Sequence, residues 1–226
     1  MDAEFTHRPS YTHLIVELAE GEALRAEPGA MVGHSETVAV ETTTSRDGLL
    51  SSAKSMLGGE SLFANEFVAE GGPGRVTLAP STPGDVMEHG LDGGTLYATD
   101  GAFLAAAPGV EIDTELGGLT SVLGEASLTP LALSGTGSAF LDAYGGLERL
   151  DLDAGESYTL DNRHLVAWDD ELDVRTRSVG GLKSSLLGGE GLVFEFDGPG
   201  TAWYQTRDLD GFAAALAPRL PKANGG

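Results

Sequence analysis

Val38-Ala39-Val40-Glu41-Thr42, Val110-Glu111-Ile112-Asp113-Thr114 and Leu172-Asp173-Val174-Arg175-Thr176 read as one strand written three times. The first two alternate apolar and polar residues with period two, the pattern of a half-buried β-strand, and the third keeps its apolar positions. Upstream, Met31-Val32, Phe103-Leu104 and Leu165-Val166 fall at one common offset, and Gly21, Gly93 and Gly155 at another. Leu14 to Thr42 therefore aligns with Val86 to Thr114 at a shift of 72 residues, and both align with Gly146 to Thr176 at a further 62. A second shared block follows each stretch: Gly72-Pro73-Gly74, Gly135-Thr136-Gly137 and Gly198-Pro199-Gly200, each leading into a strand-like run. Self-similarity at such a period means one structural unit used several times, and it decides the fold before any local reading does.

The expected fold is all-β: three tandem units around a pseudo-threefold axis, with short helices, and with a β-trefoil as runner-up. The units are expected at 5–80, 81–145 and 146–210 of a single compact domain over 1–226, with 211–226 a helix and tail. Turn punctuation at Pro28-Gly29, Pro83-Gly84, Asp100-Gly101 and Pro108-Gly109 fits many short, evenly spaced strands. Near the end, Asp208 is placed to cap a short helix bearing Leu209, Phe212 and Leu216 near one face, with Pro218 stopping it.

Composition excludes several chemistries. The 226 residues include no cysteine, so disulfides, thiolate metal sites and a cysteine nucleophile are not available. Met1-Asp2-Ala3-Glu4-Phe5 has neither the basic nor the apolar region of a secretory signal, and no window has the roughly 18 consecutive apolar residues of a spanning helix. The expected location is cytoplasmic. With 35 acidic against 13 basic residues the net charge is −22, spread over every segment. An acidic surface of this kind is expected of a salt-accumulating halophilic archaeon. At about 1 M salt the Debye length is near 3 Å, which removes most of the self-repulsion.

Motifs for catalysis are missing from the sequence. There is no G-x-S-x-G elbow, and the five histidines (His7, His13, His34, His89, His164) are dispersed. Neither H-x-H nor H-E-x-x-H occurs, so the convergent ligands of a metal-bearing barrel are not suggested. Glu60, Glu125 and Glu190 recur 65 residues apart, a spacing that fits carboxylates fixing equivalent turns. Gly71-Gly72-Pro73-Gly74 lacks the lysine of a P-loop. Arg163, Arg175 and Arg177 form a modest basic cluster among carboxylates, so nucleic acid is not an expected partner.

Between the two blocks of each unit lies an apolar segment: Leu49, Leu50, Met56 and Leu57 in the first, Leu119, Val122 and Leu123 in the second, Leu182, Leu186 and Leu187 in the third. Their spacing fits one face of a short helix or an apolar loop. Such segments either plug the ends of the β units or form a contact surface for a protein partner or a membrane, and they are the candidate interaction surface.

Several blocks carry a family resemblance: Pro28 to Val32, Gly59 to Phe63, Gly74 to Pro80, Gly101 to Ala105, Gly188 to Val193, and above all Gly198-Pro199-Gly200-Thr201-Ala202-Trp203-Tyr204-Gln205-Thr206-Arg207. Over roughly residues 5 to 210 the chain resembles the mitochondrial-biogenesis family named for altered inheritance of mitochondria, protein 24, and its prokaryotic relatives of unknown function. The resemblance implies units folded like the tryptophan RNA-binding attenuation protein (TRAP), a short double-stranded β-helix, with no established enzyme activity and no cofactor. The expected function is a non-enzymatic scaffold or interaction protein, a candidate homo-oligomer linked to membrane or complex organisation. The alternatives are a small-molecule or RNA-binding module and a metal-dependent enzyme of a cupin-like barrel.

Overall fold

The computed structural model describes residues 1–42, 65–113, 130–178 and 192–220. It is all-β, with one short α-helix among the described residues. After β1 (Asp2–Thr6) come β2 (His13–Leu18), β3 (Ala23–Ala26), β4 (Met31–His34), β5 (Val38–Thr42), β6 (Asn65–Ala69) and β7 (Gly74–Leu78). The middle of the chain holds β8 (Gly84–Asp92), β9 (Leu96–Thr99), β10 (Phe103–Ala106), β11 (Val110–Asp113) and β12 (Pro130–Tyr144). The last stretch holds β13 (Leu147–Leu152), β14 (Ser157–Asp161), β15 (Leu165–Asp169), β16 (Asp173–Ser178), β17 (Leu192–Asp197) and β18 (Gly200–Gln205), followed by α1 (Leu209–Leu216).

Local pattern explains the strands. In β2 the residues Leu14, Val16 and Leu18 are buried while Glu17 is exposed, and β3 likewise buries Leu24 and Ala26. Burying each large apolar side chain contributes roughly 1.5–3 kcal/mol, which selects the register that puts the whole set inward. Gly21, Gly93 and Gly155 turn the chain into β3, β9 and β14 with φ of 84°, 87° and 88°, a left-handed conformation that glycine adopts without a Cβ clash.

One pairing scheme occurs in each stretch. β2 and β4 flank β7, β8 and β10 flank the second half of β12, and β13 and β15 flank β18, all antiparallel. β3 and β5 flank β6, β9 and β11 flank the first half of β12, and β14 and β16 flank β17. Each of β4, β10 and β15 carries a register shift at the same place, between Met31 and Gly33, Phe103 and Ala105, and Leu165 and Ala167. A bulge there bends the strand and re-aims the extra residue.

The glycine blocks behave differently in the middle stretch. Bends separate β6 from β7 and β17 from β18, as expected, but Pro130–Tyr144 runs through Gly135-Thr136-Gly137 as one strand of 15 residues. The two glycines keep positive φ of 91° and 130°, so the chain bends without leaving the ladder.

Two seams join consecutive stretches. β3 pairs with β10, placing Ala26 opposite Ala105 and Arg25 opposite Ala106. β9 pairs with β15, placing Ala98 opposite Ala167 and Tyr97 opposite Trp168. The seams create two six-stranded paths, β5-β6-β3-β10-β12-β8 and β11-β12-β9-β15-β18-β13, which share β12. At the ends of the chain are two three-stranded halves: β2-β7-β4, with β1 added outside β2, and β14-β17-β16. The expected closure around a pseudo-threefold axis is not made by strand pairing, because among the described residues β14 does not pair with β4.

Three hydrophobic cores follow the same order. The first, around Leu14, Leu24, Phe67 and Val76, is completed by Leu104, Ala105 and Phe140 from the middle stretch. The second, around Leu96, Phe103, Leu131 and Leu141, is completed by Val166, Ala167 and Trp203 from the last stretch. The third contains Leu152, Leu160, Leu165, Trp168, Phe194 and Phe196.

Candidate functional site

The ten apolar residues expected to form the interaction surface all lie outside the described residues: Leu49, Leu50, Met56, Leu57, Leu119, Val122, Leu123, Leu182, Leu186 and Leu187. Glu60, Glu125 and Glu190 lie outside them too.

Apart from one pair, the histidines are engaged separately. His7 and His13 meet edge to face at 5.5 Å, the His34 Nδ1 lies 2.9 Å from the Ser35 carbonyl, and the His164 Nδ1 lies 2.7 Å from the Gln205 carbonyl. His89 packs edge-on against Trp203 at 5.4 Å, and burial lowers its pKa below the usual imidazole value. Among the described residues no three acids or histidines converge in a way that could hold a metal ion.

The basic cluster is occupied by carboxylates. Arg163 pairs with Asp161 and Asp208, Arg175 with Asp173 and Asp197, and Arg177 with Glu195. An arginine bound in this way presents little free positive charge to a phosphate.

Two polar features sit inside the fold. Arg8 donates to both carboxylate oxygens of Asp85 at 2.8 Å, and the Thr12 hydroxyl donates to the same buried acid at 2.9 Å, which ties the segment after β1 to the start of β8. Asp142, on β12, is buried, and burial together with the charge of Glu27 pushes its pKa up to about 8. Burial alone raises Glu27 to about 7.

Apolar side chains are left on the surface in particular places. On β4, Met31 is 45% exposed and Val32 54%, and on β14 Tyr158 is 40% exposed. The counterparts of Val32 in the alignment, Leu104 and Val166, are 0% and 1% exposed. Sequence reasoning aligned these residues but did not mark them as a site.

The carboxyl-terminal helix is the second apolar surface. As expected, the Asp208 side chain caps it, accepting from the backbone N–H groups of Asp210 and Gly211 at 3.0 Å. The Arg163 Nη1 holds the cap at 2.9 Å, and Phe212 leans on Tyr144 at 6.1 Å. Leu209, Phe212 and Leu216 nevertheless remain exposed. Geometrically these surfaces can make contacts; they do not assemble a nucleophile, a base or a ligand cradle.

Comparisons with known proteins agree over nearly the whole chain. An uncharacterized protein of Streptococcus pyogenes serotype M6 is 30% identical over 217 residues, covering 92% of this chain and 87% of that protein. A crystal structure of a Streptococcus pyogenes protein superimposes with a TM-score of 0.80 at 30% identity, covering 97% of this chain and 99% of that one. Residues 3–207 match the family described as mitochondrial biogenesis AIM24, and the chain belongs to that family.

Proposed function

We propose that the protein is a non-enzymatic scaffold, cytoplasmic, built from three TRAP-like units and working through surface contacts. The recurrence of one pairing scheme and of one bulge position supports the three-unit reading. The observation that carries the scaffold reading is the placement of exposed apolar residues. Met31, Val32 and Tyr158 lie on strands whose outer edges pair with no other strand among the described residues, and Leu209, Phe212 and Leu216 lie on a helix outside the cores. Exposed apolar residues grouped on one strand edge or one helix face support a reading as contact sites. The family's description is mitochondrial biogenesis, and for this chain we read the corresponding role as organising a complex. The acidic chain is suited to do this in concentrated salt.

The test is static light scattering at about 2 M KCl, where surface charge is screened, combined with flotation on uncharged lipid vesicles. A scaffold gives a mass above the 23.3 kDa chain, or binds vesicles through the apolar helix. A monomer that binds no vesicle overturns the reading.

A further inference from the structure

We infer that the two ends of this chain are the two halves of one interface, and that copies join head to tail, β14 of one pairing antiparallel with β4 of the next. The inference rests on the scaffold reading and deepens it by naming the partner, a second copy, and the register.

The halves are complementary by construction. Each internal six-stranded path joins three strands of one stretch to three of the next, through the β3–β10 or the β9–β15 seam. The end sheet β14-β17-β16 corresponds to one half of such a path and β2-β7-β4 to the other. Placing one against the other recreates the same six-stranded order.

The register follows from the two existing seams, which are equivalent residue for residue. Ala26 opposite Ala105 corresponds to Ala98 opposite Ala167, and Arg25 opposite Ala106 corresponds to Tyr97 opposite Trp168. Carried on to the ends, the same shifts place Leu160 of one copy opposite Gly33 of the next, Thr159 opposite His34, and Tyr158 opposite Ser35.

Burial points the same way. At each internal seam the bulge residue of the following stretch, Leu104 or Val166, enters the core of the preceding one. Among the described residues the third core has no such residue from a following stretch, and Val32, its counterpart, is 54% exposed. In a head-to-tail pair Val32 enters the third core of the neighbouring copy, and Tyr158 is covered as Leu24 and Leu96 are.

The two edges also carry few of the charges that keep edge strands apart. Free edges of soluble sheets are commonly blunted by charged residues or proline. Here β13 carries Glu148, Arg149 and Asp151, and β16 carries Asp173, Arg175 and Arg177. β4 carries no carboxylate, and β14 carries only Asp161, engaged by Arg163. In a chain with 35 acidic residues, one edge without a carboxylate and one whose single acid is already paired fit mutual pairing. A contact between different patches propagates until the rotation closes a ring. The three units of a single chain do not close it, so a ring needs at least two chains.

The experiment uses the natural lack of cysteine. Residues opposite each other in an antiparallel pair have Cα atoms about 4.5–5.5 Å apart, within disulfide reach. Under mild oxidation H34C/T159C is expected to give disulfide-linked multimers on denaturing gels. The one-residue shift H34C/Y158C is expected to stay monomeric, because the shifted side chain leaves by the other face. Independently, V32D at an exposed position is expected to drop the native mass to 23.3 kDa with an unchanged melting curve. An intrachain H34C/T159C disulfide, or equal linkage by both pairs, overturns the inference. A native assembly that persists in V32D without H34C/T159C linkage overturns it while leaving the scaffold reading intact. A wild-type monomer that still binds vesicles does the same, and one that binds nothing overturns both.

Discussion

Tyr97 stacks on Trp168 with ring centroids 5.3 Å apart and planes 20° apart, and the two residues also face each other in register across the seam between β9 and β15. Trp168 is nearly fully buried in the third core, so one aromatic pair serves both the sheet and the packing beneath it. At the other internal seam the equivalent of Tyr97 is Arg25, whose guanidinium donates to the carbonyls of Ala107, Pro108 and Val110. Each seam thus has its own fastening, aromatic in one case and polar in the other.

Trp168→Ala is expected to cost about 3–5 kcal/mol, the range for deleting a buried tryptophan. The Tyr97→Ala, Trp168→Ala double-mutant cycle is expected to show a coupling of about 0.5–1.5 kcal/mol beyond the lost area. Urea unfolding of the four proteins measures both quantities. Simple additivity would mean that the stack is incidental.

Arg25→Met keeps the aliphatic stem and removes the donors. Three carbonyls of the Ala107–Val110 turn lose a shared partner, and the expected loss is roughly 1–3 kcal/mol. Hydrogen exchange should localise the loosening to the β3–β10 seam and leave the β9–β15 seam protected. Uniform loosening of both seams would show that Arg25 is not a local fastening.

The buried acids predict falling stability with rising pH. Burial raises Asp142 to about 8 and Glu27 to about 7, both above their ordinary unfolded values. Between about pH 4 and pH 8 the folded protein therefore holds more protons than the unfolded chain. Their contribution is fully present below pH 4 and is lost as pH rises through this window. Melting at high salt, which suppresses general charge repulsion, should give a higher midpoint at pH 5.5 than at pH 8.5. Asp142→Asn should flatten most of the difference, and an unchanged slope in that variant would assign the effect elsewhere.

The net charge of −22 predicts a strong dependence on salt. Raising KCl from about 0.1 to 2 M shortens the Debye length from roughly 10 Å to below 3 Å, and the melting temperature should rise with it. Surface pairs such as Arg75–Glu17 at 2.6 Å weaken in the same range, but exposed pairs of this kind contribute about 1 kcal/mol or less. A melting temperature that ignores salt would mark the chain as an ordinary acidic protein.

The sequence by itself determined what is local. The strands at Val38–Thr42 and Val110–Asp113, turn glycines at 21, 93 and 155, and the Asp208 cap each depend on a few neighbouring residues, and each stands where expected, although Val40 is left exposed. Only the tertiary structure decided what depends on partners far along the chain. Met31-Val32 and Leu165-Val166 look alike as letters, yet one pair is exposed and the other buried, Val166 in the core of the middle stretch and Leu165 in that of the last. The burial of Asp142, the run of β12 through its glycines and the edges of β4 and β14 that stay unpaired among the described residues also depend on distant partners. A strand's period states which of its faces is apolar, whereas the neighbour that covers that face is set by pairing between residues about 70 or more positions apart.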